Sequence, residues 1–576
     1  MKINFQNKTI ILILLFVFQL SFSQKKEETI GTETVNVVKP YSPTISDAFK
    51  VKETPSLDDT GNQAKETIKY SILSVPVAST FTPSKGKAEG VEKSKQERLF
   101  SNYATVGVGN YGTLNAELFV TQDLGNNDYV AGMFRHHSSQ GGIKDVQLND
   151  EFYDTALNIG YGMNNRDMSW NVDLGYQNQI YNWYGLPAEF DTSLIPNISQ
   201  NHSYNTITLG GNIEFNESVF NKIATKFTHF SDNFSSSENH FYLKPSFKVD
   251  VMEQSINTDI IVDHVSGTFE NNYFKDNTEP LKYSFTNLGI EPSFVVHEND
   301  WTLELGAGIF YSLDSENSSN KIFFYPKVNA SYKLVGDLMI FYTGVKGGLQ
   351  QNTYADFVNE NPFLSPTLAI TPTDNQYTVF AGLKGKLANN ISYNLAGSYL
   401  NEKNKALFKS NDYTEDATNE GYAFGNSLGV VYDDVRTFRF YGELKADFSE
   451  NVSFGINGTF NSYKNDGQLE AWNLPSMKLS SNLDVNITKQ WYAGLNVFYV
   501  GERKDMQANL DLATDPVLVT LKSYFDANAH LGYKHNERLT LFLKLNNIGN
   551  QAYEKWLNYP VQGFQVLIGG NYKFDF

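Results

Sequence analysis

The stretch FQVLIGGNYKFDF at residues 564–576 alternates between two kinds of side chain. In an extended chain, successive side chains point to opposite faces. One face would carry the mainly apolar set Phe564, Val566, Ile568, Gly570, Tyr572, Phe574 and Phe576. The other would carry Gln565, Asn571, Lys573 and Asp575. We assign the apolar face to lipid and the polar face to a water-filled lumen.

The same alternation recurs upstream, in residues 539–546, 525–534, 301–309 and 241–249. In the first of these segments, leucines at every second position alternate with Thr540, Lys544 and Asn546. A helical period fits none of the segments, because it would place their charges and leucines on the same face. The pattern therefore predicts many half-apolar strands.

Turns and loops of two lengths separate these strands. Tight polar turns lie at 125–128, 298–300, 449–451 and 536–538. Longer stretches, which we interpret as polar loops, lie at 138–152, 184–202, 269–281, 351–375, 409–423, 504–522 and 550–562. Short turns on one rim and long loops on the other are typical of outer-membrane barrels.

The strand count depends on residues 424–448, which form either two strands or one long strand. One long strand gives a total of 22, the even number required when both ends of a barrel lie on the same side of the membrane. We therefore expect an all-β fold: a transmembrane antiparallel β-barrel of 22 strands over residues 99–576.

Composition agrees with a membrane barrel. Aromatic residues make up 14% of the 576 residues and charged residues only 19%, whereas soluble domains have about 25% charged residues. The chain has no cysteine, which excludes disulfides, thiolate metal sites and thiol nucleophiles. A net charge of −18 argues against a nucleic-acid partner, because phosphate contacts need a basic surface.

A secreted β-sandwich, propeller or solenoid is the nearest soluble alternative. In a sandwich, Glu304, Asp526, Lys534 and Lys544 would be buried without evident partners. That burial would cost roughly several kcal/mol for each charge, so we favour the barrel.

The N-terminal part of the chain has a different character. Residues 1–23 combine two lysines, an apolar run and a Ser-Phe-Ser cleavage site, and are predicted to be a removed signal peptide. Residues 24–98 are rich in charge and contain five prolines. We expect them to form an extended periplasmic or lumenal segment, with short strands near 34–38 and 68–77.

The C-terminal residues resemble a known family, the TonB-dependent receptors, whose barrels have 22 strands. The alternating Tyr572, Phe574 and Phe576 look like the signal that delivers outer-membrane barrels to their assembly machinery. The stretch 545–563 is similar to the family's NNLxNxxY and Tyr-Pro-x-x-Gly patterns. The residues that carry this similarity are Asn546, Asn547, Asn550, Tyr553, Pro560 and Gly563.

The resemblance also brings out a departure at the N-terminus. Family members carry a plug domain with Pro-Gly, Arg-Gly and Asp-Gly motifs, and residues 24–98 contain none of them. One short stretch resembles the family's TonB box, a segment that pairs with the energising protein TonB by β-addition. It comprises Glu33, Thr34, Val35, Asn36, Val37 and Val38. A strand docking on its own barrel or on a partner is the alternative interpretation.

Two functions remain open for a barrel of the Gram-negative outer membrane without a conventional plug. One is a scaffold or subunit of an outer-membrane complex for protein assembly or secretion, which the loss of the plug favours. The other is ligand uptake as a TonB-dependent transporter. Partners would be membrane lipid and lipopolysaccharide, other outer-membrane or periplasmic proteins, and TonB.

We predict no enzyme, and no catalytic, metal or cofactor site, because no acid–base or nucleophile constellation is evident. A lumen of 22 strands is wide enough to leak solutes. It must therefore be filled by the N-terminal segment, by inward-folded loops or by a partner.

Overall fold

The computed structural model describes residues 99–576, except for 189, 192, 217, 252–253, 274–278, 415–419 and 510–514. The described residues correspond to the region expected to form the barrel. The expected signal peptide, the N-terminal segment and the TonB-box-like residues 33–38 lie outside the described residues.

The chain folds almost entirely into antiparallel strands. In chain order they are β1 (Asn102–Gly109), β2 (Leu114–Gly125), β3 (Asp128–Ser139), β4 (Phe152–Asn164), β5 (Met168–Asn182), β6 (Asn201–Phe215), β7 (Phe220–Asp232), β8 (Ser237–Val251), β9 (Gln254–Phe269), β10 (Leu281–Glu298), β11 (Trp301–Asp314), β12 (Ser319–Val335), β13 (Met339–Gln350), β14 (Thr373–Ala388), β15 (Ile391–Ser410), β16 (Leu428–Ser449), β17 (Val452–Asn465), β18 (Met477–Asn486), β19 (Trp491–Val500), β20 (Arg503–Gln507), β21 (Val517–Leu521), β22 (Tyr524–Lys534), β23 (Leu539–Asn546), β24 (Glu554–Trp556), β25 (Tyr559–Pro560) and β26 (Gln565–Phe574). One short helix, α1, spans Tyr354–Glu360.

Twenty-two of these strands form one closed sheet. Each pairs with its neighbours along the chain, and β1 closes the ring by pairing with both β2 and β26. The hairpins β20–β21 and β24–β25 stand outside this sheet. The predicted 22-stranded antiparallel barrel is confirmed. The doubtful stretch at 424–448 is resolved by β16, a single strand of 22 residues.

The two faces of the wall differ as the alternation predicts. Large apolar side chains are exposed on the outer face of many strands, among them Leu174, Ile260, Leu305, Val379, Phe438, Leu541 and Ile568. The inner face carries charges that pair with one another, as between Lys244 Nζ and Asp259 Oδ2 at 2.9 Å. An apolar outer band with a polar interior is the arrangement that a lipid-facing barrel requires.

The two rims of the barrel are unequal. Ten connections on one side are short turns, and the ends of the barrel, at Asn102 and Phe574, pair on that same side. We call this side the short-turn rim and the opposite side the long-loop rim. At the first short turn, Asn126 and Asn127 have positive φ angles of 54° and 68°, a conformation that asparagine tolerates in tight hairpins.

The assignment of faces can be tested on β23. A lysine at the bilayer midplane costs about 2–4 kcal/mol on the lipid face but is tolerated in the lumen. We expect Leu543→Lys to lower the yield of folded barrel in bilayers far more than Thr540→Lys on the other face. Heat-dependent gel mobility measures that yield, and equal losses in the two variants would mean that the strand is assigned to the wrong register.

Candidate functional site

Five connections of the long-loop rim fold over the mouth of the barrel and pack together. We call them the lid, and they comprise the described residues of the ranges 183–200, 351–372, 411–427, 501–523 and 547–564. Their aromatic side chains are buried rather than exposed: Trp183 and Tyr354 are 0% exposed, Tyr559 is 1% and Tyr422 is 2%. These stretches are connections between strands, as expected, and each contributes side chains to buried apolar clusters or to buried hydrogen bonds.

The lid crosses the full width of the mouth. The side-chain nitrogen of Asn426 donates to the carbonyl of Trp183 at 2.8 Å, and the rings of Trp183 and Tyr422 lie 5.5 Å apart. Trp183 follows β5, whereas the other two residues lie between β15 and β16. Those two positions are separated by ten strands in one direction around the sheet and twelve in the other. Loops from opposite sides of the barrel thus meet over its centre.

Tyr559 joins four of the lid loops. Its ring stacks on Phe363 with centroids 3.8 Å apart and meets the edge of Tyr184 at 4.8 Å. Its hydroxyl donates to the carbonyl of Asn426. These contacts bring together residues of the loops 183–200, 351–372, 411–427 and 547–564, so Tyr559 is the central residue of the lid.

Helix α1 is tied to the barrel wall by a buried carboxylate. Glu238 on β8 accepts hydrogen bonds from the backbone N–H groups of Tyr354, at 2.7 Å, and Ala355, at 3.1 Å. It also accepts a hydrogen bond from the hydroxyl of Tyr283 at 2.7 Å. The first N–H groups of a helix lack partners within the helix, so this side chain both satisfies them and fixes the loop 351–372.

A second contact fixes the same loop to β6 and β7. The hydroxyl of Tyr354 donates to Asp232 Oδ2 at 2.9 Å. Beside it, His202 is 1% exposed, and its Nδ1 lies 2.9 Å from the hydroxyl of Tyr204. That hydroxyl donates to the carbonyl of Pro362 at 2.9 Å. Buried hydrogen bonds therefore join the lid to the wall at two points, through Asp232 on β7 and through Tyr204 on β6.

Asp505 fixes the part of the lid formed by the hairpin β20–β21. It is 0% exposed and accepts hydrogen bonds from the backbone and hydroxyl of Ser410, both at 2.9 Å. Asn473 donates to it at 2.7 Å. Burial raises the pKa of the Asp505 carboxyl, and these hydrogen bonds oppose that effect without cancelling it.

The raised pKa of Asp505 predicts a pH dependence. The unfolded-state pKa of an aspartate is about 3.9. A carboxyl whose pKa is higher in the folded state stabilises the fold most at pH values below about 3.9. This contribution to stability is lost as the pH rises towards the folded-state pKa. Asp505→Asn cannot titrate. We therefore expect protease cleavage in loop 501–523 to speed up in the wild type, relative to this variant, as pH rises above about 4.

The control for this experiment is Asp145→Asn, whose carboxylate is 84% exposed. The ratio of cleavage rates between wild type and that variant should stay constant over the same range. A constant ratio for Asp505→Asn would contradict the role of the buried carboxyl.

The asparagines that resemble the family pattern shape the connection between β23 and β26. Asn547 and Asn550 adopt positive φ angles of 46° and 48°. The side-chain nitrogen of Asn547 donates to the carbonyls of Gln551, at 2.8 Å, and Gln562, at 2.9 Å. The side-chain oxygen of Asn550 accepts from the backbone of Phe564 at 2.8 Å. These residues thus hold the base of the lid loop that carries Tyr559.

The other residues of that pattern also lie in or beside the lid. Tyr553 donates to Asp526 on the lumen wall at 2.7 Å. The carbonyl of Pro560 accepts from Tyr184 at 3.1 Å. An added Cβ at Gly563 would lie 2.4 Å from an asparagine side-chain oxygen, so the close turn requires glycine there.

The residues of the expected assembly signal lie on the closing strand. Tyr572 is 44% exposed and Phe576 is 81% exposed, and the rings of Tyr572 and Phe574 stack at 6.2 Å. Asn546 on the neighbouring strand β23 donates to Gln565 at 3.2 Å. Their role in assembly stays a prediction.

Within the described residues, no group of three or more histidines and carboxylates is placed to hold a metal ion. In the same part of the chain, no helix is long and apolar enough to cross a membrane.

The sequence matches no protein-family model and no curated protein. Its structure is similar to solved barrels. The iron transporter FrpB from Neisseria meningitidis is 11% identical with a TM-score of 0.63, over 83% of this chain and 82% of that one. The ferric-catecholate import receptor Fiu from E. coli K12 is 12% identical with a TM-score of 0.61, over 84% and 83%.

The ferripyoverdine receptor of the outer membrane of Pseudomonas aeruginosa is 15% identical, with a TM-score of 0.59 over 84% of this chain and 73% of that one. At these identities the similarity shows the fold alone. The chain therefore has the barrel fold of such receptors, which agrees with the resemblance found in its C-terminal residues.

Proposed function

We propose that the chain is a non-enzymatic barrel of the Gram-negative outer membrane, exported with a cleaved signal peptide, that serves as a subunit or scaffold of an outer-membrane complex for protein assembly or secretion. The long-loop rim would face the outside and the short-turn rim the periplasm. Membrane lipid, lipopolysaccharide and other envelope proteins would be its partners.

The lid is the observation that carries this proposal. Trp183, Asn426 and Tyr559 join loops from opposite sides of the mouth through buried contacts. A barrel that collects a ligand from the medium would have to open this lid to admit it. A mouth closed by a packed aromatic core instead suits a barrel that offers its wall and its inner mouth to other proteins.

Purification of the full chain from membranes in mild detergent tests this function. We expect it to migrate in a stable complex with other envelope proteins at a constant ratio. A variant that disrupts the lid, such as Tyr559→Ala, should remain in that complex, because the partner contacts would lie elsewhere. Migration as a single barrel, without partners in any detergent, would contradict the scaffold proposal.

TonB-dependent transport is the second candidate, and the fold shared with iron-importing receptors favours it. In that case the lid would open to admit a ligand, and residues 33–38 would pair with TonB. Charge-reversing and proline substitutions in Glu33–Val38 would then abolish uptake of the ligand and leave the folded barrel intact. Growth on limiting iron as the readout distinguishes this function from the scaffold.

A further inference from the structure

The wall of the barrel is interrupted between β12 and β13. Strand β12 pairs with β11 from Ser319 to Tyr332, but it pairs with β13 only from Lys327 onwards. Residues 319–326 therefore have no neighbouring strand on the side of β13. We call this stretch the open edge. It lies in the half of β12 that is nearer the long-loop rim.

A proline explains where the pairing stops. In an antiparallel ladder the N–H and C=O of one residue point to the same side, and successive residues alternate between the two sides. The ladder with β11 runs through Pro326 without a break. The N–H that proline lacks would therefore have pointed towards β13. Pairing with β13 accordingly ends at Lys327, the next residue of the strand.

On the other side of the gap, β13 turns away from β12 at Gly347. Its ladder with β14 has a bulge at this point, and an added Cβ at Gly347 would lie 2.7 Å from the ring of Tyr325. Just after β13, Gln351 accepts a hydrogen bond from Asn287 on the lumen face of β10 at 2.7 Å. The chain thus leaves the wall for the interior, and β13 does not cover the open edge.

The backbone groups of the open edge are unpaired within the described residues. Because Pro326 faces the open side, the alternation places the N–H and C=O groups of Asn320, Ile322 and Phe324 on that side as well. No hydrogen bond joins these groups to any other group in the part of the chain that the structure describes. Unpaired groups of this kind are a template for another strand.

The outer face of the open edge belongs to the apolar band of the wall. Phe324 is 72% exposed, more than any other large apolar side chain on the described strands. It lies opposite the exposed Ile309, and Ile322 lies opposite the exposed Tyr311. Hydrocarbon cannot form hydrogen bonds, so an open sheet edge at this depth has to be paired or to line a water-filled cavity. An added strand satisfies these backbone groups, whereas a lipid chain does not.

The inner face of the open edge borders a polar cavity of about 400 Å³. Its lining includes Lys321 and Phe323 from the open edge together with Asp374, Lys403 and Asp434. The whole lining has one more carboxylate than ammonium group. A strand placed at the open edge would therefore turn neutral or basic polar side chains towards the cavity and apolar side chains towards lipid.

We propose that the open edge binds an extended segment of a partner polypeptide by β-addition, so that the partner supplies the strand missing beside β12. In this mode backbone hydrogen bonds give affinity, and alternate side chains give specificity. Residues 319–326 span roughly 27 Å at about 3.4 Å per residue. The segment that fits alternates apolar residues with neutral or basic ones. The proposal rests on the role as a subunit of an outer-membrane complex proposed above.

Hydrogen exchange of the full chain in lipid nanodiscs tests this proposal, with a synthetic peptide of about ten residues as the probe. The peptide alternates valine with threonine and carries a lysine at each end. The amides of Asn320, Ile322 and Phe324 should exchange more slowly by about tenfold or more when it binds. The amides of Lys321 and Phe323 are the internal control. They face β11 and should exchange equally slowly with and without the peptide.

Two substitutions at one position separate backbone recognition from side-chain recognition. Phe324→Pro removes an N–H on the open side and leaves the ladder with β11 intact, so the peptide should bind about tenfold more weakly. Phe324→Leu keeps that N–H and should bind the peptide as the wild type does. Heat-dependent gel mobility shows whether both variants are folded. Equal binding by the two variants, or no protection of the three amides by the peptide, would overturn the proposal.

Co-purification separates this proposal from the proposed function. The expected result is loss of the partner from Phe324→Pro and its retention by Phe324→Leu. A complex that keeps its partner in Phe324→Pro preserves the function and overturns the site. A chain that purifies alone, but whose open edge the peptide protects, loses the function and preserves the site. Protection that rises with the concentration of the barrel alone would identify a second copy as the occupant and overturn the partner proposed here.

Discussion

Tyr559→Ala is expected to convert the closed barrel into one that conducts ions. The substitution removes the stack on Phe363, the edge contact with Tyr184 and the hydrogen bond to Asn426. Truncating a buried aromatic side chain costs about 3–5 kcal/mol. A loss of that size in the contacts that hold the lid would raise its open fraction by roughly two orders of magnitude or more.

Single-channel recordings of the full chain in planar bilayers measure this effect. Tyr559→Phe should conduct little, since it keeps the ring contacts and loses only the hydroxyl. Tyr311→Ala is the control, because Tyr311 is 38% exposed on the barrel and belongs to no lid loop. If Tyr559→Ala conducts no more than the wild type, something other than the lid closes the barrel.

The second large effect is expected at Glu238. Glu238→Ala would leave the N–H groups of Tyr354 and Ala355 and the hydroxyl of Tyr283 buried without their acceptor. Each buried donor left without its acceptor costs about 1–3 kcal/mol. We therefore expect α1 to detach from the wall and the loop 351–372 to become accessible to water.

Hydrogen exchange of the Tyr354 and Ala355 amides measures this detachment directly. Exchange at these two sites should speed up by a factor of about one hundred or more, given a loss of about 3 kcal/mol. Glu238→Gln should give an intermediate rate, because its amide keeps one acceptor oxygen but replaces the other with a donor nitrogen. Glu298→Ala, at an exposed short turn, should change neither rate, and unchanged exchange in Glu238→Ala would show that other contacts hold the helix.

The strands of the barrel wall were predictable from sequence because the alternation of side chains depends only on residues that are neighbours in the chain. Alternate residues of a strand face opposite sides, so runs such as 539–546 fix both the element and its faces. Strand β16 also followed from a global constraint: the even strand number required for both ends to lie on one side favoured a single strand over two.

The lid was not predictable by the same reasoning. Asn426 and Trp183 are 243 positions apart in sequence, and they meet only because the closed sheet brings opposite loops over one mouth. Inward-folded loops were one of the expected fillings of the lumen, but local composition did not show which loops meet, since polar residues surround their aromatics. The one available signal was the aromatic content of the long connections, such as Trp183, Tyr422, Trp556 and Tyr559, which solvated loops do not need.

The seam between the first and last strands has a consequence for biogenesis. Ser101 and Asp575, hydrogen-bonded at 2.9 Å, are 474 positions apart, and β1 has no partner on that side until β26 arrives. Until β1 and β26 pair, a partly folded sheet carries two unpaired edges. Open edges recruit other strands and aggregate, and contacts between distant residues form slowly. The ring can therefore close only once β26 has reached β1, so closure is a late step of folding.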